Sequence, residues 1–180
     1  MKNFLEIGTA DFETLIPLAE KGGWIGWCVE PMPHFCETLR SLTGHLPVAI
    51  EELAISDYNG WLQMAVANVK GGTLARGASH VVSDHHYGVR PLDNSDAEII
   101  DVQCLTLDTF LEYKGIKHLD YLKLDTEGHE LNILEDYSWR VKPSFIKAET
   151  TQQIGNGLKS VLVGAGYTVT QEKYDLYAIL

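Results

Sequence analysis

The sequence predicts an α/β protein built on an open, mostly parallel sheet, and three patterns point to it. Short apolar runs that end in acidic or small residues alternate with stretches of helical periodicity, the arrangement of strands and crossover helices. With 45% hydrophobic and 22% charged residues, the 180-residue chain has enough apolar material for one sizeable core and no compositional sign of disorder. No repeat, low-complexity tract or linker divides it, so residues 1–180 read as a single domain.

The first strand falls at 3–7. Asp11 is placed to cap a helix over 12–20, where Pro17 must sit near the first turn or cause a kink, and Gly22-Gly23 stops it. A second strand over 24–29 closes at Glu30-Pro31, and 34–43 then carries Phe35, Leu39 and Leu42 at helical spacing. A third strand falls at 48–50 or slightly later, at 53–55. Asp57-Tyr58-Asn59-Gly60 is a strong turn signal, and the alternating run 61–67 leaving it predicts an antiparallel excursion. Residues 68–97 are rich in Gly, Ser, Asp and His without periodicity, the composition of a long loop that contacts substrate.

A strand returns over 98–105, Asp108 is placed to cap a short helix to Tyr113, and 120–125 is a short strand ending in Asp125. Thr126 reads as the N-cap of a helix from Glu127 to about Tyr137, with Glu127 and Glu130 at its positive end and Leu131 and Leu134 facing inward. Pro143 precedes a strand over 144–148 closing at Glu149. Leu158, Val161 and Leu162 share one helical stripe, and 168–171 and 176–180 make a final strand pair.

Charge and cysteine content narrow the function classes. Asp and Glu number 25 against 14 Lys and Arg, a formal charge of -11, and the basic residues are scattered, which argues against nucleic acid as a partner. Cys28, Cys36 and Cys104 are odd in number and widely spaced, so they read as reduced thiols of a cytoplasmic protein. The first apolar run is interrupted by acid after two residues, and none approaches the roughly 20 residues that cross a bilayer. Neither a secretion signal nor a membrane anchor is expected.

In an open α/β sheet, ligands bind outside the carboxyl ends of the strands. The first such turn reads Glu6-Ile7-Gly8-Thr9-Ala10-Asp11-Phe12-Glu13, with one glycine where a dinucleotide fingerprint has three. Its acids would repel a pyrophosphate and favour a ligand with an ammonium or sulfonium centre. Glu30 lies about 20 positions beyond Gly8, the interval at which an acid grips ribose hydroxyls. Glu6 and Glu30 together favour S-adenosylmethionine; each alone is equally consistent with a solvated strand end. Lys123 and Asp125 share one strand face, and Lys147 and Glu149 repeat the arrangement, so opposite charges are expected to meet across strands, either at a functional crevice or as a structural ion-pair network.

Leu122-Lys123-Leu124-Asp125-Thr126-Glu127-Gly128-His129-Glu130 followed by Ile133-Leu134 resembles the signature of the FkbM-type methyltransferases. Glu6-Ile7-Gly8 and Val29-Glu30-Pro31 resemble that family's first two cofactor motifs. Ala54-Ile55-Ser56 is similar to its third segment, and Leu105-x-Leu107-Asp108 resembles the run before the signature. The resemblance implies a Rossmann-like class I methyltransferase fold: a mostly parallel seven-stranded sheet, a C-terminal antiparallel strand and a hairpin excursion before the fourth parallel strand. It implies S-adenosyl-L-methionine as cofactor, held by Glu6, Gly8, Thr9, Ala10, Asp11, Glu30, Pro31, Ile55, Ser56 and Asp125. Phe12 stands where the family usually has glycine, and with the first strand at 3–7 the usual helices before it are not expected. A homo-oligomeric partner, the long central loop or an open site is expected to substitute for that cover.

The reaction so implied is transfer of a methyl group to a hydroxyl oxygen of a small-molecule or carbohydrate acceptor, with a general base removing the hydroxyl proton. Asp125, Glu127, His129 and Glu149 are the catalytic candidates, Glu127 and His129 first among them; helix capping is the plainer role for Glu127 and a solvated helix position for His129. His80, Asp84, His85 and His86 match no defined metal site, and no metal is expected. Competing readings are a nucleoside-binding module that has lost turnover, a nicotinamide oxidoreductase and a loop-based metal hydrolase.

Overall fold

Apolar residues alternate with Glu6, Lys123 and Lys147 along three short runs, and that parity decides how the sheet is faced. The computed structural model describes residues 1–10, 15–69, 73–74, 80–82, 97–151 and 153–180. The first half comprises β1 (Lys2–Ile7), α1 (Ile16–Glu20), β2 (Trp24–Val29), α2 (Pro33–Thr43), β3 (Val48–Glu51), β4 (Ala54–Ser56), β5 (Gly60–Val69), β6 (Thr73–Leu74) and β7 (His80–Val81). The second comprises β8 (Ala97–Thr106), α3 (Leu107–Tyr113), β9 (Tyr121–Leu124), α4 (Glu130–Asp136), β10 (Phe145–Glu149), α5 (Gly155–Gly164), β11 (Thr168–Glu172) and β12 (Asp175–Ile179).

Seven strands form one sheet in the order β3-β2-β1-β9-β10-β12-β11. Its pairings are parallel except those of β12, which runs antiparallel to β10 and β11. A second sheet, β4-β8-β5-β6 with β7 also on β5, is the expected excursion between β3 and β9. Its central pair is long, joining Gly60 to Cys104 and Ala67 to Ala97 in antiparallel register. Both windows considered for the third strand are strands, in different sheets. Val48–Glu51 pairs with β2, and the wholly buried Ala54–Ser56 leaves the main sheet to pair with β8.

One face of the main sheet carries Leu5, Ile7, Leu122, Leu124, Ile146 and Ala148, packed against α3, α4 and α5 through residues such as Phe110, Leu134 and Leu158. Each of the Leu, Ile and Phe side chains contributes about 1.5–3 kcal/mol by leaving water. The opposite face is covered over β1 and β2, where Phe4 and Cys28 meet Leu15, Ile16, Ala19 and Leu39. Phe4 lies across Gly26, where a Cβ would come within 2.1 Å of its ring. Farther along that face Tyr121 and Phe145 meet edge-on with centroids 4.8 Å apart, and both stay half-exposed.

Two helix starts differ from expectation. Thr106, not Asp108, caps α3: its hydroxyl accepts from the Thr109 amide, while Asp108 turns away to accept from the amide and hydroxyl of Ser138. Thr126 does not cap α4 either. Glu127 (φ 54°) and Gly128 (φ 99°) form a turn, and the helix begins at Glu130 with His129 at the cap position. Glu130 explains the delay, because its buried carboxylate reaches back to the Thr126 and Gly128 amides and holds the turn in place. Pro17 sits in the first turn of α1, as allowed for, whereas Asp11 and Phe12 lie outside the described residues. All three cysteines are free and buried. Burial raises the thiols of Cys28 and Cys36 to about 12, which makes them inert at neutral pH. No helix among the described residues is long and apolar enough to cross a membrane.

Candidate active site

The carboxyl ends of β1, β2 and β9 converge on an open hollow, with Gly8, Glu30 and Asp125 in its lining. Gly8 makes the convergence possible. Its φ is +79°, and a Cβ on it would lie 1.8 Å from the Asp125 carbonyl oxygen, so the chain leaving β1 crosses directly over the end of β9. The Gly8 amide donates to Val29 and the Asp125 amide to Ile7, tying the three strand ends together.

Glu30 is the organising group on the β2 side. Although only 5% exposed, its carboxylate accepts from the Ala10 amide at Oε2 and the Met32 amide at Oε1, both at 2.8 Å. These bonds hold Ala10 in its left-handed conformation (φ 50°) and fix the plane of the carboxylate at the wall of the hollow. Beyond it the wall turns apolar, with Phe35, Leu53, Ile55, Met64 and Val81.

Across the hollow the chemistry is titratable. Asp125, Glu127 and Glu149 bring carboxylate oxygens within 4.8 Å of one another. Burial, then the charges of Asp125 and Glu130, raises the Glu127 carboxyl to about 7. Burial, then Asp125 and Glu127, raises Glu149 to about 8, so Glu149 is largely protonated at neutral pH and hydrogen-bonds Asp125. Glu130, buried beneath the turn, is raised by desolvation against the pull of its hydrogen bonds. His129 is lowered by burial, with Asp57 opposing; its Nε2 lies 3.0 Å from the Ser56 hydroxyl.

Of the residues singled out from sequence, Gly8, Ala10, Glu30, Pro31, Ile55, Asp125, Glu127 and His129 line this one hollow. Glu149 stands beside it through its contacts with Asp125 and Glu127. Glu6, Thr9 and Ser56 are not among its lining residues. The fully buried Glu6 is drawn inward by Lys123 Nζ at 3.0 Å and the Leu15 amide at 3.1 Å. Opposite charges do meet across strands here, because β1 and β9 set Glu6 opposite Lys123. Lys147 instead pairs with Asp175 on β12. Thr9 is buried over the Glu6 carbonyl, and Ser56 is buried behind His129. Asp11, Asp84, His85 and His86 lie outside the described residues, as does the side chain of His80. Apart from Ile55, the apolar wall went unpredicted. Helical spacing marks Phe35 as inward-facing and alternation does the same for Met64, but nothing local shows that the excursion folds back against the β2 end.

This arrangement defines a class: an α/β sheet whose strand ends form an acidic pocket for a small ligand. Solved structures share its fold. A precorrin-6y C5,15-methyltransferase from Geobacter metallireducens is 11% identical, with 99% of this chain and 79% of that one aligned at a TM-score of 0.51. Aeropyrum pernix fibrillarin, solved with natively bound S-adenosyl-L-methionine, is also 11% identical, with 99% and 66% covered and a TM-score of 0.51. No curated protein matches the chain. The model of the methyltransferase FkbM domain matches residues 6–168, so the chain belongs to that family and is a methyltransferase of the S-adenosylmethionine-dependent kind.

Proposed function

We propose that the protein transfers the methyl group of S-adenosylmethionine to a hydroxyl oxygen of a small-molecule or carbohydrate acceptor. The observation that carries this reading is the two-sided hollow. Glu30 and an apolar wall face a cluster of Asp125, Glu127 and His129, and no lysine or arginine is among the described lining residues. A phosphate-bearing dinucleotide would meet Glu30, Asp125 and Glu127, with Lys123 offsetting Asp125 alone among the described residues; a phosphate-free nucleoside with a positive sulfur meets complementary charge.

When bound, the cofactor supplies an electrophilic methyl group on a positively charged sulfur. Glu30, fixed by the Ala10 and Met32 amides, is placed to accept ribose hydroxyls, and the apolar wall to receive the base. Asp125, at the turn where the Gly8 loop crosses β9, would hold the cofactor by offsetting the charge of its sulfur. Glu127 and His129 line the hollow and would face the acceptor, where either could take up its hydroxyl proton near neutral pH. The protein acts mainly by fixing geometry and removing that proton.

Calorimetric titration with S-adenosylhomocysteine, followed by transfer of a labelled methyl group to a panel of hydroxyl compounds, tests the proposal. Binding and label on oxygen are expected; binding without transfer to any hydroxyl makes the chain a nucleoside-binding module. Glu30→Ala should weaken binding by about 1–3 kcal/mol. Because Glu30 also holds two backbone amides, this variant should lose some stability too, so its affinity is measured well below its unfolding temperature.

A further inference from the structure

Building on that reading, we infer that Ser56 and Asp57 are positioning residues: they fix His129 as the neutral Nε2–H tautomer and leave the Nδ1 lone pair as the base for the acceptor hydroxyl. The Ser56 hydroxyl lies 2.9 Å from Asp57 Oδ1 and 3.0 Å from His129 Nε2, and Asp57 Oδ1 lies 4.0 Å from the same nitrogen. A carboxylate only accepts, and a serine hydroxyl has a single hydrogen. Ser56 therefore donates to Asp57, its oxygen accepts from Nε2–H, and Nδ1 is left unprotonated. With Nε2 engaged, Nδ1 is the ring nitrogen that remains for a ligand.

The fold supports this assignment independently. Ser56 ends β4, a strand buried along its whole length and registered against β8, so the hydroxyl is held by a sheet and not by a loop. It reaches across 73 positions of sequence to the turn that carries Glu127 and His129, clamping that turn to the excursion. The His129 side chain is 13% exposed, and burial favours the uncharged ring that a base requires. Asp57 faces it from the turn after β4, and Asp125, Glu127 and Glu130 flank it on its own segment.

In the step so described, the acceptor oxygen forms its bond to the methyl carbon as the carbon–sulfur bond breaks, its electron pair leaving with sulfur. The hydroxyl proton passes to Nδ1. The resulting imidazolium is stabilised through Ser56 by the charge of Asp57, the relationship of an orienting acid to a catalytic histidine.

Long-range proton–nitrogen correlation spectra of the full chain labelled with 15N-histidine, with and without S-adenosylhomocysteine, test this without any acceptor. His129→Gln assigns the resonance. Wild type should show a protonated Nε2 and an unprotonated Nδ1; a protonated Nδ1 overturns the inference with no variant needed. Ser56→Ala should release the preference into a tautomer mixture and Ser56→Thr should restore it, while an Ala variant with an unchanged spectrum removes Ser56 from the role. S-adenosylhomocysteine affinity of Ser56→Ala should stay within about twofold, and a loss of tenfold or more would make Ser56 a cofactor contact instead. With a hydroxyl acceptor in hand, Ser56→Ala should lower kcat roughly tenfold or more at unchanged acceptor KM. Failure of wild type to bind S-adenosylhomocysteine overturns the functional reading itself, and that result is separate from the tautomer.

Discussion

The two sides of the hollow treat buried acids in opposite ways. At the β1 and β2 ends, Glu6 and Glu30 are matched: Glu6 faces the Lys123 ammonium and the Leu15 amide, Glu30 faces two backbone amides, and each charge is met by a donor fixed in the main chain or an adjacent strand. At the β9 and β10 ends, Lys123 reaches Asp125 at 3.1 Å, but Glu127 and Glu149 crowd that aspartate with no ion pair of their own among the described residues, and their proton affinities rise into the neutral range. One side is built for shape and the other for exchange of protons. A methyl donor needs to be held, whereas a hydroxyl acceptor needs to lose a proton, and the contrast maps onto that division.

The largest effect should come from the joint between the two sides. Gly8→Ala forces a left-handed conformation on alanine and a 1.8 Å overlap with the Asp125 carbonyl, so the strand ends must part. A loss of at least about 3 kcal/mol in urea unfolding is expected, together with loss of S-adenosylhomocysteine binding. A stable, binding-competent variant would mean that the convergence of β1 and β9 does not make the site. Next comes Lys123→Met, which removes the ammonium from the buried Glu6 and from the part-exposed Asp125 and should cost about 3 kcal/mol. Adding Glu6→Gln should recover most of that loss. Strict additivity of the two changes would show that the matched side is not a coupled pair.

Much of the fold was legible because parity and periodicity are local. The runs at β1, β2, β9 and β10 announce themselves by their alternation, and the turn at Asp57–Gly60 announces the excursion. What was not legible depends on contacts between distant segments. Glu130 holds the Thr126–Gly128 turn from four residues away and delays α4, so a sound capping signal at Thr126 pointed to a helix start that the structure does not use. Glu6 carries the same strand-end chemistry as Glu30, yet cross-strand register with Lys123 draws it inward. The site residues found from sequence were those on strand ends, where topology alone brings them together. Met64 and Val81 were missed because their place depends on how one sheet packs beside another.

The smallest effect, a slope of stability with pH, isolates the mismatched side. Burial and neighbouring carboxylates raise Glu127 to about 7 and Glu149 to about 8 in the folded protein, against 4.5 for an ordinary glutamate. Between these limits the folded state keeps protons that the unfolded chain has released, so the contribution of these two groups to stability is highest below about pH 4.5 and falls as pH rises, until the loss is complete above about pH 8. Allowing for solvent screening of these part-exposed groups, about 1–2 kcal/mol is expected across the window. Glu130, also raised, adds to the slope, and His129, lowered, opposes it below about pH 6.5. Glu149→Gln should therefore raise Tm at pH 8, leave it unchanged at pH 4 and flatten the profile between, and the difference from wild type cancels the other groups. Lys123 is silent here. Burial opposes the charge on Lys123, but Glu6 and Asp125 outweigh it and raise its value above 10.5, so its stabilisation is fully present below 10.5 and is lost only as pH rises through the higher value. A wild-type profile that is flat from pH 5 to 8, with no gain in Glu149→Gln, would mean that the three carboxyls do not compete for protons and that the two sides are electrostatically alike.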